Sequence, residues 1–309
     1  MTPAFFLLRI RRAVLKISII TATLNSAKTL SSALDSVLAQ TYPHIEHIII
    51  DGKSSDSTLS IAHSYLPEYD KRGYSLRIFS QKDNGIYDAM NKGIELASGE
   101  VVGFLNSDDF FASSHVASLI AWGFAKPTDD IQIIYADISY VNASLQTQRI
   151  LCGKPFSPLS FKLGFHPPHP SFYAKRELFV SYGGFNLKYS IASDYDLMLR
   201  FLHKHQAKSL YIQEIFVKMR LGGASNKSIA NILRANIECY KSWRDNDLSA
   251  FPIFVFLKPL LKIFAILKHR QDSNMGGGIT IALSKRTTYP TYLLSPNFST
   301  SFGYTKLAS

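Results

Sequence analysis

The first hundred residues alternate between short apolar runs and longer segments whose apolar positions recur at helical spacing. The short runs lie at residues 16–23, 47–50, 76–79 and 101–105. The helical segments lie at residues 30–40, 55–65 and 86–97. Strands that alternate with helices in this way are typical of βαβ units. The pattern therefore predicts an α/β fold with a mostly parallel central sheet flanked by helices.

The hydrophobic pattern becomes less regular after residue 110. Further strands are predicted at residues 131–135, 138–141 and 211–217. Further helices are predicted at residues 177–182, 194–203 and 228–244. No internal repeat is visible, and residues 16–245 are expected to form one domain. The change of pattern divides this domain into an N-terminal half, 16–110, and a C-terminal half, 111–245.

Polar or acidic residues follow each of the first four predicted strands. These residues are Thr21 with Thr23, Asp51, Asp83, and Asp108 with Asp109. Right-handed crossovers bring such strand ends to one edge of the sheet, where open α/β sheets bind ligands. Adjacent carboxylates suit a hard divalent cation that also contacts phosphate, although an aspartate pair also suits the cap of a following helix. Neither a G-x-G-x-x-G nor a Walker-type motif is present, so phosphate binding is expected to use a metal or side chains.

Composition limits the classes of partner. The chain has 309 residues, is 46% hydrophobic and carries a formal net charge of +11, which favours acidic lipid or phosphorylated substrates as partners. It contains no arginine-rich or aromatic-interleaved module of the kind that binds nucleic acid, so nucleic acid is not an expected partner. Its two cysteines are far apart and lack metal-ligand spacing, which indicates a reducing compartment.

Both ends of the chain differ from the central domain. Residues 1–15 form a basic arm without the charge order of a secretory signal, and this arm either touches a membrane or simply leads into the first strand. Residues 251–270 are apolar but carry Lys258 and Lys262, so they predict an amphipathic helix that lies on a membrane surface or packs on the domain. Residues 271–309 are rich in Gly, Ser, Thr and Pro and are expected to be poorly ordered.

Four motifs, taken together, resemble family 2 glycosyltransferases of the GT-A fold. The motifs are residues 17–25, 49–58, 83–93 and 104–109. Within that family the chain is most similar to bacterial enzymes that build exopolysaccharide and lipopolysaccharide repeat units. The resemblance covers about residues 16–225 and depends on the order and spacing of all four motifs.

The resemblance implies that the N-terminal half binds a nucleotide-sugar donor, with a UDP-sugar favoured. Thr21, Asp51 and Asp83 would line the nucleoside pocket, with Asp51 accepting a hydrogen bond from the base. The other implied donor-site residues are Thr23, Asn25, Asn91, Asn106 and Arg220. Asp108, helped by Asp109, would bind Mn²⁺ or Mg²⁺. Asn106 stands at the first position of the family's D-x-D motif, so weaker metal binding is expected.

The C-terminal half would hold the acceptor. Asp194 matches the family's acidic acceptor-site motif and is implied to be the catalytic base. From the residues alone, Asp194 also suits the cap of the helix that follows it. Asp196 is the nearest rival, and it points to a different face of the helix because it lies two positions further along.

Three further residues have two interpretations each. His166 and His169 lie in a proline-rich loop and either line the acceptor side or serve only the structure of that loop. Arg220 precedes Gly222 and Gly223, so this segment either folds over the diphosphate or is an ordinary turn.

The expected activity is transfer of a sugar, with inversion, to a saccharide or lipid-linked acceptor in cell-surface polysaccharide biosynthesis. The basic arm and the 251–270 helix would hold a cytoplasmic protein peripherally on anionic lipid at the inner face of the cell membrane. One alternative, suggested by Asn106, is a catalytically weakened nucleotide-sugar-binding or scaffold protein. The other is a sugar nucleotidyltransferase, which would need a glycine- and arginine-rich loop after the first strand that this chain lacks.

Overall fold

A computed structural model describes residues 15–126, 130–162, 164–221 and 229–249. The strands are β1 (Ile17–Thr23), β2 (Ile45–Asp51), β3 (Ser75–Ser80), β4 (Val101–Phe104), β5 (Phe110–Phe111), β6 (Ile133–Val141), β7 (Thr147–Leu151), β8 (Tyr173–Lys175) and β9 (Ser209–Arg220). The α-helices are α1 (Leu30–Leu38), α2 (Thr58–Ser64), α3 (Leu66–Arg72), α4 (Ile86–Leu96), α5 (Val116–Phe124), α6 (Arg176–Tyr182), α7 (Ser193–Met198) and α8 (Ile229–Asp245). Shorter helical segments are a 3₁₀ turn at His169–Ser171 and a π-helical turn at Leu199–Lys204.

The described strands form one nine-stranded sheet in the order β3-β2-β1-β4-β8-β6-β9-β5, with β7 paired to β6. The first four of these strands are parallel to one another. Thr23 pairs with Asp51, and Asp51 pairs with Ser80, so the carboxyl ends of β1, β2 and β3 are level. The predicted α/β fold is confirmed, and the polar strand ends meet at one edge.

The second half of the sheet is not uniformly parallel. Strand β8 runs antiparallel to both β4 and β6, whereas β9 is parallel to β6. Strand β6 is continuous where the hydrophobic pattern predicted two strands, 131–135 and 138–141. Its register against β9 shifts on both sides of Asp137 because β9 carries extra residues there, and the polar Asp137 is what interrupts the apolar run of β6.

Apolar clusters cover both faces of the sheet. Ile17 and Ile19 of β1 belong to one cluster, and Ile20 and Ala22 belong to the other, because successive strand residues point to opposite faces. Every residue of β1 and β2 is buried. Burial on both faces explains why these strands read as continuous apolar runs in the sequence.

The predicted elements at the two ends of the chain lie outside the described residues, apart from Leu15. These are the basic arm at 1–15, the amphipathic helix at 251–270 and the tail at 271–309. Within the described ranges, no helix has the length and apolar character needed to cross a membrane.

A chain of polar side chains crosses the buried layer beneath β1 and β2. The Thr21 hydroxyl lies 2.9 Å from Nε2 of His47 and donates a 2.7 Å hydrogen bond to the carbonyl of Leu105. The other ring nitrogen of His47, Nδ1, lies 2.8 Å from the Tyr69 hydroxyl. Burial lowers the pKa of His47 to about 3, so the imidazole is neutral in the folded protein near neutral pH.

The neutral state of His47 makes stability depend on pH. The unfolded chain binds a proton below about pH 6.5, whereas the folded chain does so only near pH 3. The stability that neutral His47 contributes is therefore fully present above the pKa that His47 has in the unfolded chain. It is lost as the pH falls toward the pKa that His47 has in the folded protein. We expect His47→Asn to reduce the slope of unfolding free energy between pH 6 and pH 4 by up to about 1.4 kcal/mol per pH unit.

Urea denaturation of both proteins across this pH range measures the two slopes. His63→Asn is the control, because His63 is exposed on α2 and should leave the slope unchanged. Equal slopes for wild type and His47→Asn would contradict the prediction.

Candidate functional site

Asp51 ends β2, and its carboxylate shapes the turn that follows. The side chain is fully buried and accepts hydrogen bonds from the backbone of Lys53 at 3.1 Å and of Ser54 at 3.1 Å. The hydroxyls of Ser54 and Ser80 also donate to it. A carboxylate offers about four acceptor positions, so these contacts occupy Asp51 within the fold.

Gly52 allows the loop after β3 to approach this turn. A Cβ atom on Gly52 would lie 2.5 Å from Oδ2 of Asp83, which no larger residue tolerates without movement. The other oxygen of Asp83 accepts a 2.9 Å hydrogen bond from the backbone of Gly85. Oδ2 accepts no hydrogen bond from the described residues, so Asp83, unlike Asp51, keeps an oxygen available to a ligand.

The loop after β1 connects its neighbours on both sides. The Asn25 side-chain oxygen accepts a 2.8 Å hydrogen bond from the backbone of Ser55, and the Asn25 backbone donates to the Ser54 hydroxyl at 2.8 Å. The Ser26 hydroxyl lies 2.9 Å from that of Ser107, which follows β4. Thr23 also lies at this end of β1, but its side chain is only 4% exposed.

The corner after β4 separates its two aspartates. Asp109 is 1% exposed and accepts hydrogen bonds from the Asn106 amide at 3.1 Å and from the Arg220 backbone at 3.3 Å. Burial, together with the nearby charge of Asp108, raises the pKa of Asp109 to about 7. Asp108 is half-buried, and its carboxylate accepts no hydrogen bond from any described residue. Neither aspartate caps α5, which begins after His115 without a side-chain cap.

The residues at this corner can bind a divalent cation only in part. Within the described ranges, no group of three or more His, Cys, Asp or Glu side chains could hold a metal ion. The Asn106 amide nitrogen is committed to Asp109, which leaves its oxygen and the Asp108 carboxylate as available donors. Mg²⁺ and Mn²⁺ typically bind one or two carboxylates and complete their coordination with substrate phosphates. The donor set therefore fits a cation that arrives with, or is held by, a diphosphate.

Arg220 lies behind the Asp109 carboxylate at the end of β9. Its guanidinium donates a 2.9 Å hydrogen bond to the Ser32 hydroxyl and lies 5.3 Å from the centre of the Phe110 ring. Nε of Arg220 is buried without a hydrogen-bond partner among the described residues. The glycines that follow, Gly222 and Gly223, lie outside the described residues.

Asp194 lies in the first turn of α7 and faces the N-terminal half of the domain. The Tyr87 hydroxyl, from the first turn of α4, lies 3.4 Å from Oδ1 of Asp194. Residue Ala192 occupies the N-cap position of α7 and makes no side-chain capping bond, so Asp194 is not the cap. Burial lowers the pKa of His169, and the nearby negative charge of Asp194 partly opposes this effect.

The two histidines of the proline-rich loop differ in environment. The His169 ring stacks on Phe104 with centroids 5.5 Å apart, and its Nε2 atom is buried without a partner among the described residues. The His166 ring stands edge-on to Tyr195 at 5.6 Å, and Nδ1 lies 3.0 Å from the Pro167 carbonyl. His169 therefore joins Phe185 to the end of β4, whereas His166 packs against Tyr195 of α7.

Asp196, the rival to Asp194, has a structural role. It is fully buried, forms a 2.9 Å ion pair with Arg200 and accepts hydrogen bonds from Ser242 at 2.7 Å and Asn246 at 2.9 Å. Arg200 also donates to the carbonyls of residues 182–184. The network connects α7 to α8 and to the glycine loop, and no part of Asp196 reaches the surface.

The backbone just before α7 is bound by a carboxylate from α8. Glu238 accepts hydrogen bonds from the backbone of Ser190 at 3.2 Å, Ile191 at 2.9 Å and Ala192 at 2.9 Å, and from the Ser190 hydroxyl at 3.1 Å. Burial acts to raise the pKa of Glu238, but these hydrogen bonds outweigh it and hold the pKa below its ordinary value. From the other side, the Tyr87 hydroxyl donates a 2.8 Å hydrogen bond to the Ile191 carbonyl.

These contacts form a closed ring at the carboxyl edge of the sheet. The ring passes through the Asp51 turn, the Asp83 loop, Tyr87 with Asp194, Phe185, His169, Phe104, the 106–109 corner, Ser26 and Asn25. Most of the site residues expected from the sequence lie on or beside this ring.

Two of the expected donor-site residues make their hydrogen bonds within the fold. Thr21 is fully buried because it lies two residues inside the strand end, and its hydroxyl is used by Leu105 and His47. The Asn91 amide pairs with the backbone of Phe185, accepting at 2.7 Å and donating at 2.9 Å. This pair joins α4 to the segment that leads into α7.

Tyr87 and Glu238 belong to this site, although no pattern in the sequence indicated them. Tyr87 lies inside the 83–93 motif, but nothing in its spacing distinguishes it from a core aromatic. Glu238 contacts backbone about 46 to 48 positions away, so no local pattern could connect it with Asp194.

Comparisons with known proteins agree with this architecture. The family model described as "Glycosyl transferase family 2" matches residues 18–180. A PGL/p-HBAD biosynthesis glycosyltransferase of Mycobacterium tuberculosis (strain ATCC 25177 / H37Ra) is 32% identical over 214 residues, which cover 68% of this chain and 78% of that relative.

Two solved structures share the fold. S. aureus TarS 1-349 in complex with UDP-GlcNAc aligns with a TM-score of 0.57 at 18% identity, covering 75% of this chain and 65% of that one. The mannosyltransferase PcManGT from Pyrobaculum calidifontis, in complex with GDP-Man and Mn²⁺, aligns with a TM-score of 0.55 at 17% identity, covering 86% and 76%. These similarities show the GT-A fold, and the match of the family model together with the 32% identical relative shows that the chain belongs to glycosyl transferase family 2.

Proposed function

We propose that this glycosyltransferase moves a sugar with inversion from a nucleotide-diphosphate donor to a saccharide or lipid-linked acceptor, assisted by a divalent cation. The observation that supports this proposal is the ring of contacts at the carboxyl edge, which holds Asp108 on one side and Asp194 on the other. Both carboxylates remain available there, while Asp51, Asp109 and Asp196 are occupied by the fold.

The donor would bind along the ends of β1, β2 and β4. Asp83 and the 25–26 loop would contact the nucleoside, and Asp51 would act by fixing the turn beside it. Solved structures of the same fold in complex with UDP, UDP-GlcNAc and GDP-Man support a nucleotide-sugar donor, and a UDP-sugar is favoured.

Asp108 and the Asn106 oxygen would hold Mn²⁺ or Mg²⁺ against the donor diphosphate. When bound, the cation neutralises the charge that develops on the leaving diphosphate. Asp109 would support Asp108 from behind, since its own oxygens are held by Asn106 and Arg220. Arg220 would add positive charge to this end of the site.

Asp194 would act as the general base. The acceptor oxygen forms a bond to the anomeric carbon as the bond from that carbon to the diphosphate breaks, and the acceptor proton passes to the Asp194 carboxylate. The Tyr87 hydroxyl, 3.4 Å from Oδ1, would help to orient that carboxylate. His166 and His169 would form the wall on the acceptor side.

The acceptor is proposed to belong to cell-surface polysaccharide biosynthesis. The relative named for PGL/p-HBAD biosynthesis supports a biosynthetic role. The net charge of +11 supports peripheral contact with anionic lipid at the inner face of the membrane.

A first experiment identifies the donor and tests the metal. We expect Mn²⁺ together with one of UDP-glucose, UDP-GlcNAc or GDP-mannose to raise the melting temperature. With that donor and a panel of octyl glycosides as acceptors, nucleoside diphosphate should be released. Asp108→Ala should abolish the Mn²⁺-dependent part of the thermal shift and reduce release by about 100-fold or more, since several kcal/mol of charge stabilisation are lost.

The control for Asp108→Ala is Glu177→Gln, which removes an exposed carboxylate on α6. Donor binding without turnover in the wild type would favour the nucleotide-sugar-binding alternative. Release of pyrophosphate in place of nucleoside diphosphate would favour the nucleotidyltransferase.

A second experiment separates the base from the donor site. Asp194→Asn should lower the rate of transfer by about 10² to 10⁴, the usual contribution of a positioned base. The dissociation constant for the donor should stay within about twofold, because Asp194 lies outside the donor-binding corners. Transfer at the wild-type rate by Asp194→Asn would remove the base assignment.

A further inference from the structure

Glu238 holds the backbone that carries the proposed base. It is 6% exposed, and its two carboxylate oxygens accept from three consecutive backbone N–H groups, those of residues 190–192. Helix α7 begins at the next residue and places Asp194 in its first turn. The Glu238 carboxylate of α8 thus accepts hydrogen bonds from the backbone just before the turn that carries Asp194.

The same stretch is bound from the opposite side by Tyr87. Its hydroxyl donates to the Ile191 carbonyl at 2.8 Å and lies 3.4 Å from Oδ1 of Asp194. The Tyr87 ring stacks on Phe185 with centroids 5.3 Å apart, and Phe185 is fixed in turn by Asn91. Ile191 therefore has its N–H bound by α8 and its carbonyl bound by α4.

Asp194 itself has few direct supports. Its carboxylate accepts from the backbone of Tyr195 at 2.8 Å and, at the longer distance of 3.4 Å, from Tyr87. Its position must come chiefly from the backbone beneath it. A base displaced by about 1 Å loses on the order of 100-fold in rate, so the support of that backbone bears directly on catalysis.

We propose that Glu238 is a positioning residue for Asp194, acting through the backbone of residues 190–192 and making no contact with the acceptor. This inference rests on the proposed role of Asp194 as the base. It assigns a function to a residue of α8, a helix that contributes no side chain to the donor corners described above.

The principal test is Glu238→Gln. Glutamine preserves the shape but turns one acceptor oxygen into an NH₂ group that faces backbone N–H groups. We expect the turnover number for transfer to fall by about 10- to 100-fold, with donor and Mn²⁺ binding within about twofold of wild type. Hydrogen exchange should become faster for the amides of residues 190–192 in the same variant.

Arg234→Gln is the matched control. The Arg234 side chain is 64% exposed and forms a 3.1 Å ion pair with Glu238. Its replacement removes this ion pair and leaves all four hydrogen bonds from residues 190–192 to Glu238 in place. The turnover number of this variant should stay within about twofold of wild type, as expected for an exposed pair. An equal loss in both variants would mean that the ion pair, and not the backbone contact, is what matters.

A double-variant cycle distinguishes positioning from general stabilisation. If Glu238 acts only through Asp194, the combined Asp194→Asn, Glu238→Gln protein should be no slower than Asp194→Asn alone. Multiplicative losses, or wild-type turnover by Glu238→Gln, would overturn the proposal for Glu238 while leaving the base assignment intact. Wild-type transfer by Asp194→Asn would instead remove the base and this inference with it.

Tyr87→Phe provides an independent variant if Glu238→Gln fails to fold. It removes the hydroxyl that binds the Ile191 carbonyl from the other side and that lies 3.4 Å from Oδ1 of Asp194. We expect a smaller loss of turnover, unchanged donor binding and the same lack of additivity with Asp194→Asn. Additive losses in this second cycle would also count against a shared positioning mechanism.

Discussion

The in-register parallel pairing of β3, β2, β1 and β4 is the constraint on which the site depends. A slip of one residue would turn each buried side chain of a strand to the opposite face, and both faces here are lined by isoleucine and valine. The register is therefore strongly specified by burial. Because Thr23, Asp51 and Ser80 are level across three strands, the loops that follow them begin at one edge and can contact one another.

The carboxylates near this edge divide according to whether the fold uses them. Asp51, Asp109, Asp196 and Glu238 are buried and accept hydrogen bonds from backbone or side chains, so each fixes a turn, a corner or a helix. Asp83 and Asp108 have oxygens that no described residue engages. Burying a carboxylate that has no hydrogen-bond partner costs free energy. The hydrogen-bonded carboxylates can therefore be deeply buried, whereas Asp83 and Asp108 must stay partly exposed.

The two halves of the domain share one sheet, through the pairing of β4 with β8, and two apolar clusters, and α4 adds polar contacts beside the site. Asn91 of α4 binds the backbone of Phe185, and Tyr87 of the same helix binds the backbone of Ile191. Both contacts reach from the motif that follows β3 to the segment that precedes α7. Helix α4 thus helps to fix the segment that leads into α7, and it brings residues about 100 positions apart in the chain to the same edge of the sheet.

The α/β class, the order of the first strands and helices, and the polar residues at their carboxyl ends could all be predicted from the sequence. Buried strands and amphipathic helices have distinct hydrophobic periods, so the pattern of apolar positions distinguishes them. The sequence could not determine which polar side chains face a ligand, since Thr21 and Asn91 differ from Asn25 and Asp108 only in their spatial partners. Nor could it find the contact between Glu238 and the Asp194 loop. Tertiary structure decided these points, because hydrogen bonding and burial depend on groups that lie far apart in the chain.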